Sequence, residues 1–153
     1  MTEPVSRAVV EAFYGAYESR DPDRIAAFLD DNVDWHVAGP TVVMRGCGSW
    51  QGKLAVTERF RRLLPGVVEY KEFQRECLLI EGDRSAMLGQ VKSRHLQSGR
   101  MIRHRFAHFA HYRAGKVVRF RVINDSFDAA EQYLGHQIDI AEANAIDRDI
   151  VAL

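Results

Sequence analysis

The sequence predicts an α+β fold, a cone-shaped, curved and mostly antiparallel sheet wrapped round N-terminal helices. Two observations carry this. Apolar residues recur at helical spacings of three and four in stretches before residue 65, and from Val67 onward the pattern changes to alternation, the period of a strand. The later segments VVEYKEFQRECLLI, RSAMLGQVKSRHL, MIRHRFAHFAHY and KVVRFRVIND are separated by EGD, QSG and RAG, glycine-bearing breaks of hairpin length. Four such strands make an antiparallel meander. Helices that precede a sheet, rather than alternating with its strands, make an α+β architecture.

The elements follow in order. From Pro4 to Ser19, Val5, Val9, Ala12, Phe13, Ala16 and Tyr17 form one stripe of a first helix. In SRDPDRIAAFLDDNV, Asp21 caps a short second helix with Pro22 at its first position, and Ile25, Phe28 and Leu29 face inward. VDWHV then alternates as a strand, Val33, Trp35 and Val37 on one face and Asp34 and His36 on the other, and ends at Gly39-Pro40. Past the glycine-rich RGCGSWQG, KLAVTERFRRLL reads as a third helix closed by Pro65-Gly66. After the meander, SFDAAEQYLG is a last short helix with Asp125 or Ser126 as its cap. The expected organisation is one domain, residues 1–136, and an acidic tail, 137–153, whose isoleucines would pack on a neighbouring chain.

The 153 residues are enough for a core with a cavity. With 21 basic and 21 acidic residues the formal net charge is zero, so no global field draws the chain onto nucleic acid or anionic lipid. Residues 1–20 lack the pattern of a signal peptide and no apolar run is long enough to span a bilayer, so a cytoplasmic location is expected. Cys47 and Cys77 lack C-x-x-C spacing and read as unpaired thiols.

MIRHRFAHFAHYRAGKVVRF, residues 101–120, holds three of the six histidines. On a helix, His104 and His108 would lie one turn apart and share a zinc ion. On a strand four residues span ~13 Å, too far for one ion, and the RAG turn and period-two pattern favour the strand, so no metal is expected. His104, Phe106, His108, Ala110 and Tyr112 then point into the cone, and Arg103, Arg105, Ala107, Phe109, His111 and Arg113 point outward. Alternation in the next strand sends Val118, Phe120, Val122 and Asn124 inward, and Val117, Arg119, Arg121, Ile123 and Asp125 outward. With Lys92 and Arg94, the arginine-bearing face reads as solvated or paired with carboxylates, or as a subunit interface. Nucleic-acid binding would need a basic excess that the chain lacks.

At this point the residues resemble the nuclear transport factor two-like superfamily, in its SnoaL-like and ketosteroid isomerase-like branch. The likeness covers roughly residues 5–136. It is carried by FYGAYESRDPDRIAAFLDDNVDWHVAGP, by WQGKLAV, by HFAHYRAGKVVRFRVINDSFD and by the closing helix, in that order and spacing. The resemblance implies a cystatin-like α+β barrel roll with a helix-lidded internal apolar pocket, a small hydrophobic ligand, no cofactor and, usually, a homodimer. It also implies where chemistry would sit. The carboxylate base of ketosteroid isomerases falls at or beside Val37. The neutral carboxylic acid with which those enzymes stabilise an oxyanion falls at His108. Their first-helix tyrosine falls near Phe13, with Tyr14 adjacent and Tyr17 one turn on. The acidic residue that polyketide cyclases and limonene epoxide hydrolases of this fold carry on the last strand is Val122 here. The arginine and aspartate of the epoxide hydrolases correspond to Gly89 and Val91, so that mechanism does not carry over.

With those carboxylates absent, His108 is the expected acid/base, since a neutral imidazole accepts or donates a proton near pH 7, and an apparent pKa of about 6 to 7 is expected if burial and neighbours cancel. His104, on the same face, is the second catalytic candidate. Phe13, Tyr17, Trp35, Val37, Phe106, Phe120 and Val122 are the expected apolar lining, and Asn124 offers a hydrogen bond to a ligand oxygen. Two functions follow: a cofactor-independent isomerase, dehydratase or cyclase acting beside a carbonyl, or a non-catalytic ligand-binding or dimerisation module.

Overall fold

The structure, a computed structural model, describes residues 3–141. Helix α1 spans Arg7–Ser19, with the Ser6 hydroxyl accepting from the Val9 N–H at 3.2 Å. It starts later than its apolar stripe because the Val5 N–H is engaged by the Gly82 carbonyl at 2.9 Å. The helix ends at Arg20, whose φ of 58° is left-handed, a conformation that side chains other than glycine seldom adopt. Asp21 caps α2, Pro22–Ala26, by accepting from the N–H groups of Asp23 and Arg24. That helix is shorter than expected: Leu29 is buried from strand β1, Leu29–Ala38, which begins before VDWHV. Val33, Trp35 and Val37 face inward along β1, as alternation requires.

Within the glycine-rich stretch lies an unanticipated short strand, β2, Gly48–Gln51, paired antiparallel to β1. The single third helix expected over 53–64 is three pieces. Helix α3, Lys53–Glu58, widens into a π turn over Arg59–Leu63 and tightens into a 3₁₀ turn over Leu64–Gly66, where Pro65 has no N–H to extend an α-helix.

The meander is β3, Val68–Glu81, β4, Arg84–His95, β5, Met101–Arg113, and β6, Lys116–Asn124. The six strands form one open sheet in the order β2-β1-β6-β5-β4-β3, antiparallel except for β1 beside β6. Register shifts interrupt β3/β4 twice and β5/β6 and β1/β6 once each, and such bulges increase twist and bend a sheet. They also correct one expectation. Between His111 and Tyr112 the register slips, so Val117 is fully buried opposite Tyr112 and Val118 only half-buried, the reverse of simple alternation. Gly89 is required by a close approach, since a Cβ there would lie 2.5 Å from the Gln74 carbonyl and 2.6 Å from the Phe106 ring.

Inside the curve, Val10, Phe13, Tyr14, Ile25, Trp35 and Phe120 form the centre of the core, with Trp35 stacked on Phe120 at 4.1 Å between ring centroids. The outer face is ion-paired. Arg105 meets Glu76 at 2.5 Å, Arg103 meets Glu72 at 3.9 Å, and Arg119 and Arg121 converge on Asp34. His36 bonds Ser49 at 2.7 Å on this outer side.

Helix α4, Ser126–Leu134, packs along the end of β5 that β6 does not reach. Its Gln132 side chain accepts from the Arg103 N–H at 2.8 Å and donates to the Arg103 carbonyl at 2.7 Å, standing in for a missing strand partner. Asp125 occupies the N-cap position but makes no capping side-chain bond, contrary to expectation. Of the isoleucines expected to pack on a neighbour, Ile138 is half-buried and Ile140 exposed, while Ile146 and Ile150 lie outside the described residues.

Candidate functional site

Sheet curvature leaves a cavity of about 70 Å³ between the inner faces of β5 and β6, the C-terminal end of α1, the π turn and α4. Strand period brings His104, Phe106 and His108 to one wall, and Val37, Val122 and Asn124 to the wall beside it. Tyr17 comes from α1. Phe13, Trp35 and Phe120, expected to line the pocket, are instead packed in the core and do not border the cavity, because the tightest ring cluster in the protein forms between the α1 stripe and β1/β6.

His108 is 1% exposed. Its ring lies 4.3 Å from Phe106 and 4.9 Å from Phe120, and is parallel to Tyr14 at 5.9 Å. Nδ1 has no hydrogen-bond partner among the described residues. Burial holds the His108 pKa well below the ordinary imidazole value, and the guanidinium groups of Arg20 and Arg59 push it the same way. The expected cancellation near pH 6 to 7 does not occur, because burial and both charged neighbours act in one direction. The ring is neutral at pH 7. His104 is also buried and its Nδ1 also lacks a partner; burial lowers its pKa, partly offset by Asn124 and by the carboxylates of Asp128 and Asp125. The Asn124 amide donates to the Ala38 carbonyl at 3.0 Å.

Two cations complete the cavity, and sequence reasoning missed both. Arg20 is half-buried, its guanidinium 3.7 Å from the Tyr70 ring centroid and 4.4 Å from that of Tyr17, with Nη1 buried and unbonded. Arg59 is 6% exposed; it donates from Nη2 to the Gly46 carbonyl at 2.8 Å, faces Trp50 at 4.7 Å, and leaves Nε without a partner. Among the described residues neither makes an ion pair with a carboxylate, and no Asp or Glu borders the cavity. The pocket lining therefore combines apolar residues with two cations, and is not uniformly apolar as expected. Met44, Cys47, Tyr70, Phe73 and Tyr133, also missed, fill out the lining. A signal was present for the arginines. Arg20 follows Tyr17, and Arg59 follows Val56, at the three-residue spacing of a buried stripe.

Among the described residues no group of three or more His, Cys, Asp or Glu side chains comes together to share a metal ion, and no helix is long and apolar enough to cross a membrane.

An open curved sheet closed over helices, with a cavity inside, defines the nuclear transport factor two-like class. Within it, residues 10–120 match the SnoaL-like domain, and the chain belongs to that family. A Rhodopseudomonas palustris protein provisionally assigned as an isomerase is 30% identical, with a TM-score of 0.71 over 83% of this chain and 93% of that one. Two more distant structures share the fold. TerC, crystallised with polyporic acid, is 19% identical with a TM-score of 0.69, over 83% of this chain and 96% of its own. An epoxide hydrolase of Mycobacterium tuberculosis, of the limonene epoxide hydrolase-like type, is 17% identical with a TM-score of 0.66, over 92% and 94%. Comparison with curated protein sequences yields no significant match. Gly89 and Val91, the positions at which the resemblance implied the epoxide hydrolases' arginine and aspartate, lie against the Phe106 ring and on the cavity wall respectively.

Proposed function

We propose that this protein binds a small carbonyl compound in the cone and moves a proton beside the carbonyl, as an isomerase, dehydratase or cyclase that uses neither metal nor organic cofactor. The observation that carries the reading is His108, buried on the cavity wall, neutral, with Nδ1 unpartnered. A neutral imidazole takes the α-proton while the electron pair of the C–H bond moves into the enolate, and the imidazolium returns the proton to the same or a conjugated carbon. Its lowered pKa makes it a weak base but a strong proton donor. The enolate charge faces Arg20 and Arg59, which offsets that weakness. His104 is the second exchanging group, Tyr17, Val37, Phe106 and Val122 the walls, Asn124 the polar contact, and Phe13, Trp35 and Phe120 the support behind them.

The test is exchange of α-protons for solvent deuterium in a series of cyclic ketones, followed by NMR, with His108→Gln as the control. Loss of exchange in a folded variant supports the reading. If wild type and variant bind alike and neither exchanges, the second reading takes over, a ligand-binding module of the same fold. The observation favouring it is the absence of any carboxylate at the cavity.

The homodimer is also a proposal. Leu88, Ala107, Phe109 and Ile123 are neighbours across β4, β5 and β6 on the outer face, and three of them are exposed large apolar residues, a patch suited to a second copy. Sedimentation showing a monomer at all concentrations would remove it.

A further inference from the structure

Buried cations elsewhere in proteins are paired, because desolvating a charge without compensation destabilises the fold. Here two guanidinium groups border one cavity with no carboxylate in its lining among the described residues; burial and the Arg20 charge act against the charged form of Arg59, while for Arg20 the cost of burial is outweighed by Tyr70, Tyr17 and Glu18. Both also stand where the backbone leaves regular geometry: Arg20 in the left-handed cap of α1, Arg59 at the start of the π turn. Conformations of this kind persist where they place a side chain for use.

We propose that the cavity is a site for a small organic anion, a carboxylate or ionised enol on a flat apolar body, with its charge held between Arg20 and Arg59. This rests on the reading of the cavity as a ligand pocket and specifies what that ligand carries. The unbonded donors, Nη1 of Arg20 and Nε of Arg59, are what an oxyanion accepts from. Val37, Phe106 and Val122 add an apolar lining that a wholly polar anion such as phosphate would leave unfilled. The histidines of the same lining add polar atoms without adding charge at neutral pH.

The experiment compares benzoate with benzamide, which share shape but not charge, by thermal unfolding of the full chain at pH 7.5 with ionic strength matched by sodium chloride. Benzoate should raise Tm in a saturable way, with apparent affinity at least about tenfold above that of benzamide. Arg59→Met should raise Tm in the absence of ligand, by removing an uncompensated charge, and should abolish the preference for benzoate. A merely structural Arg59 would instead lower Tm when replaced. Arg20→Met supplies the test of the benzoate preference, without the rise in Tm, should the first variant fail to fold. Equal responses to acid and amide, including no response to either, overturn the anion site, as does retention of the preference in the Met variants. Equal, saturable binding of both leaves the carbonyl-pocket reading standing. No binding of either, together with no proton exchange on any ketone, removes both.

Discussion

The two faces of the sheet treat arginine in opposite ways. On the convex side Arg103, Arg105, Arg119 and Arg121 stand partly in water, and each finds a carboxylate, the first two across β4 on β3 and the last two on the adjacent β1. On the concave side Arg59 is buried and Arg20 half-buried, both rest on aromatic faces, and neither forms an ion pair among the described residues. The outer pairs are individually weak and the chain tolerates their exposure. Of the inner two, Arg59 is the one whose charge the fold disfavours, through burial, and it faces the cavity for which an anion is proposed.

The largest effect separating the faces is catalytic. His108→Gln should cut proton exchange ~100- to 10,000-fold, while Arg105→Ala on the outer face leaves it unchanged, both measured by deuterium uptake. Next is an internal anion. Val37→Asp places a carboxylate on the cavity wall, at the position where the resemblance to ketosteroid isomerases implies a base. It should weaken benzoate binding by about tenfold or more by occupying the cations itself, and a gain of exchange activity would mark that carboxylate as a working base.

The pH dependence of stability also divides by face. The inner His108 has a folded-state pKa below its unfolded value, so its contribution is fully present above about 6.5 and is lost as pH falls through the window below that value, where the unfolded chain binds the extra proton. His104 adds in the same direction. The outer Asp34, whose hydrogen bond and ion pair with Arg121 hold its carboxyl below the usual range, contributes above about 4 and is lost only in stronger acid. Unfolding measured from pH 7 to 5 should therefore show a slope that His108→Gln reduces and Asp34→Asn does not.

The smallest effects lie outside. Asp34, with a side chain 28% exposed and two arginines on it, should cost about 1–2 kcal/mol when changed to Ala. Arg105→Ala, at a 58% exposed side chain, should cost about 0.5 kcal/mol or less in denaturant titration.

Strand periodicity and hairpin glycines were sufficient to assign the meander, the inward histidines and the outward arginines, because each depends on residues two or three positions apart. The Asp21 cap was readable for the same reason. Strand β2 was not, since Gly48–Gln51 is held only by its register with β1 and carries no alternation of its own. The slip that buries Val117 depends on a bulge opposite His111 and Tyr112, which local pattern does not encode.

The family and the position of His108 on the concave face were determined by the sequence alone. Whether Phe13, Trp35 and Phe120 would line the cavity or fill the core was decided by tertiary packing, as α1 closed onto β1 and β6. The same holds for Arg20 and Arg59. Each sits on a helical stripe behind an apolar residue, yet a charged residue there ordinarily turns outward. Only the convergence of α1, the π turn and β5 in space, between segments as much as 88 residues apart, buries Arg59, half-buries Arg20 and brings both to the cavity that His108 shares.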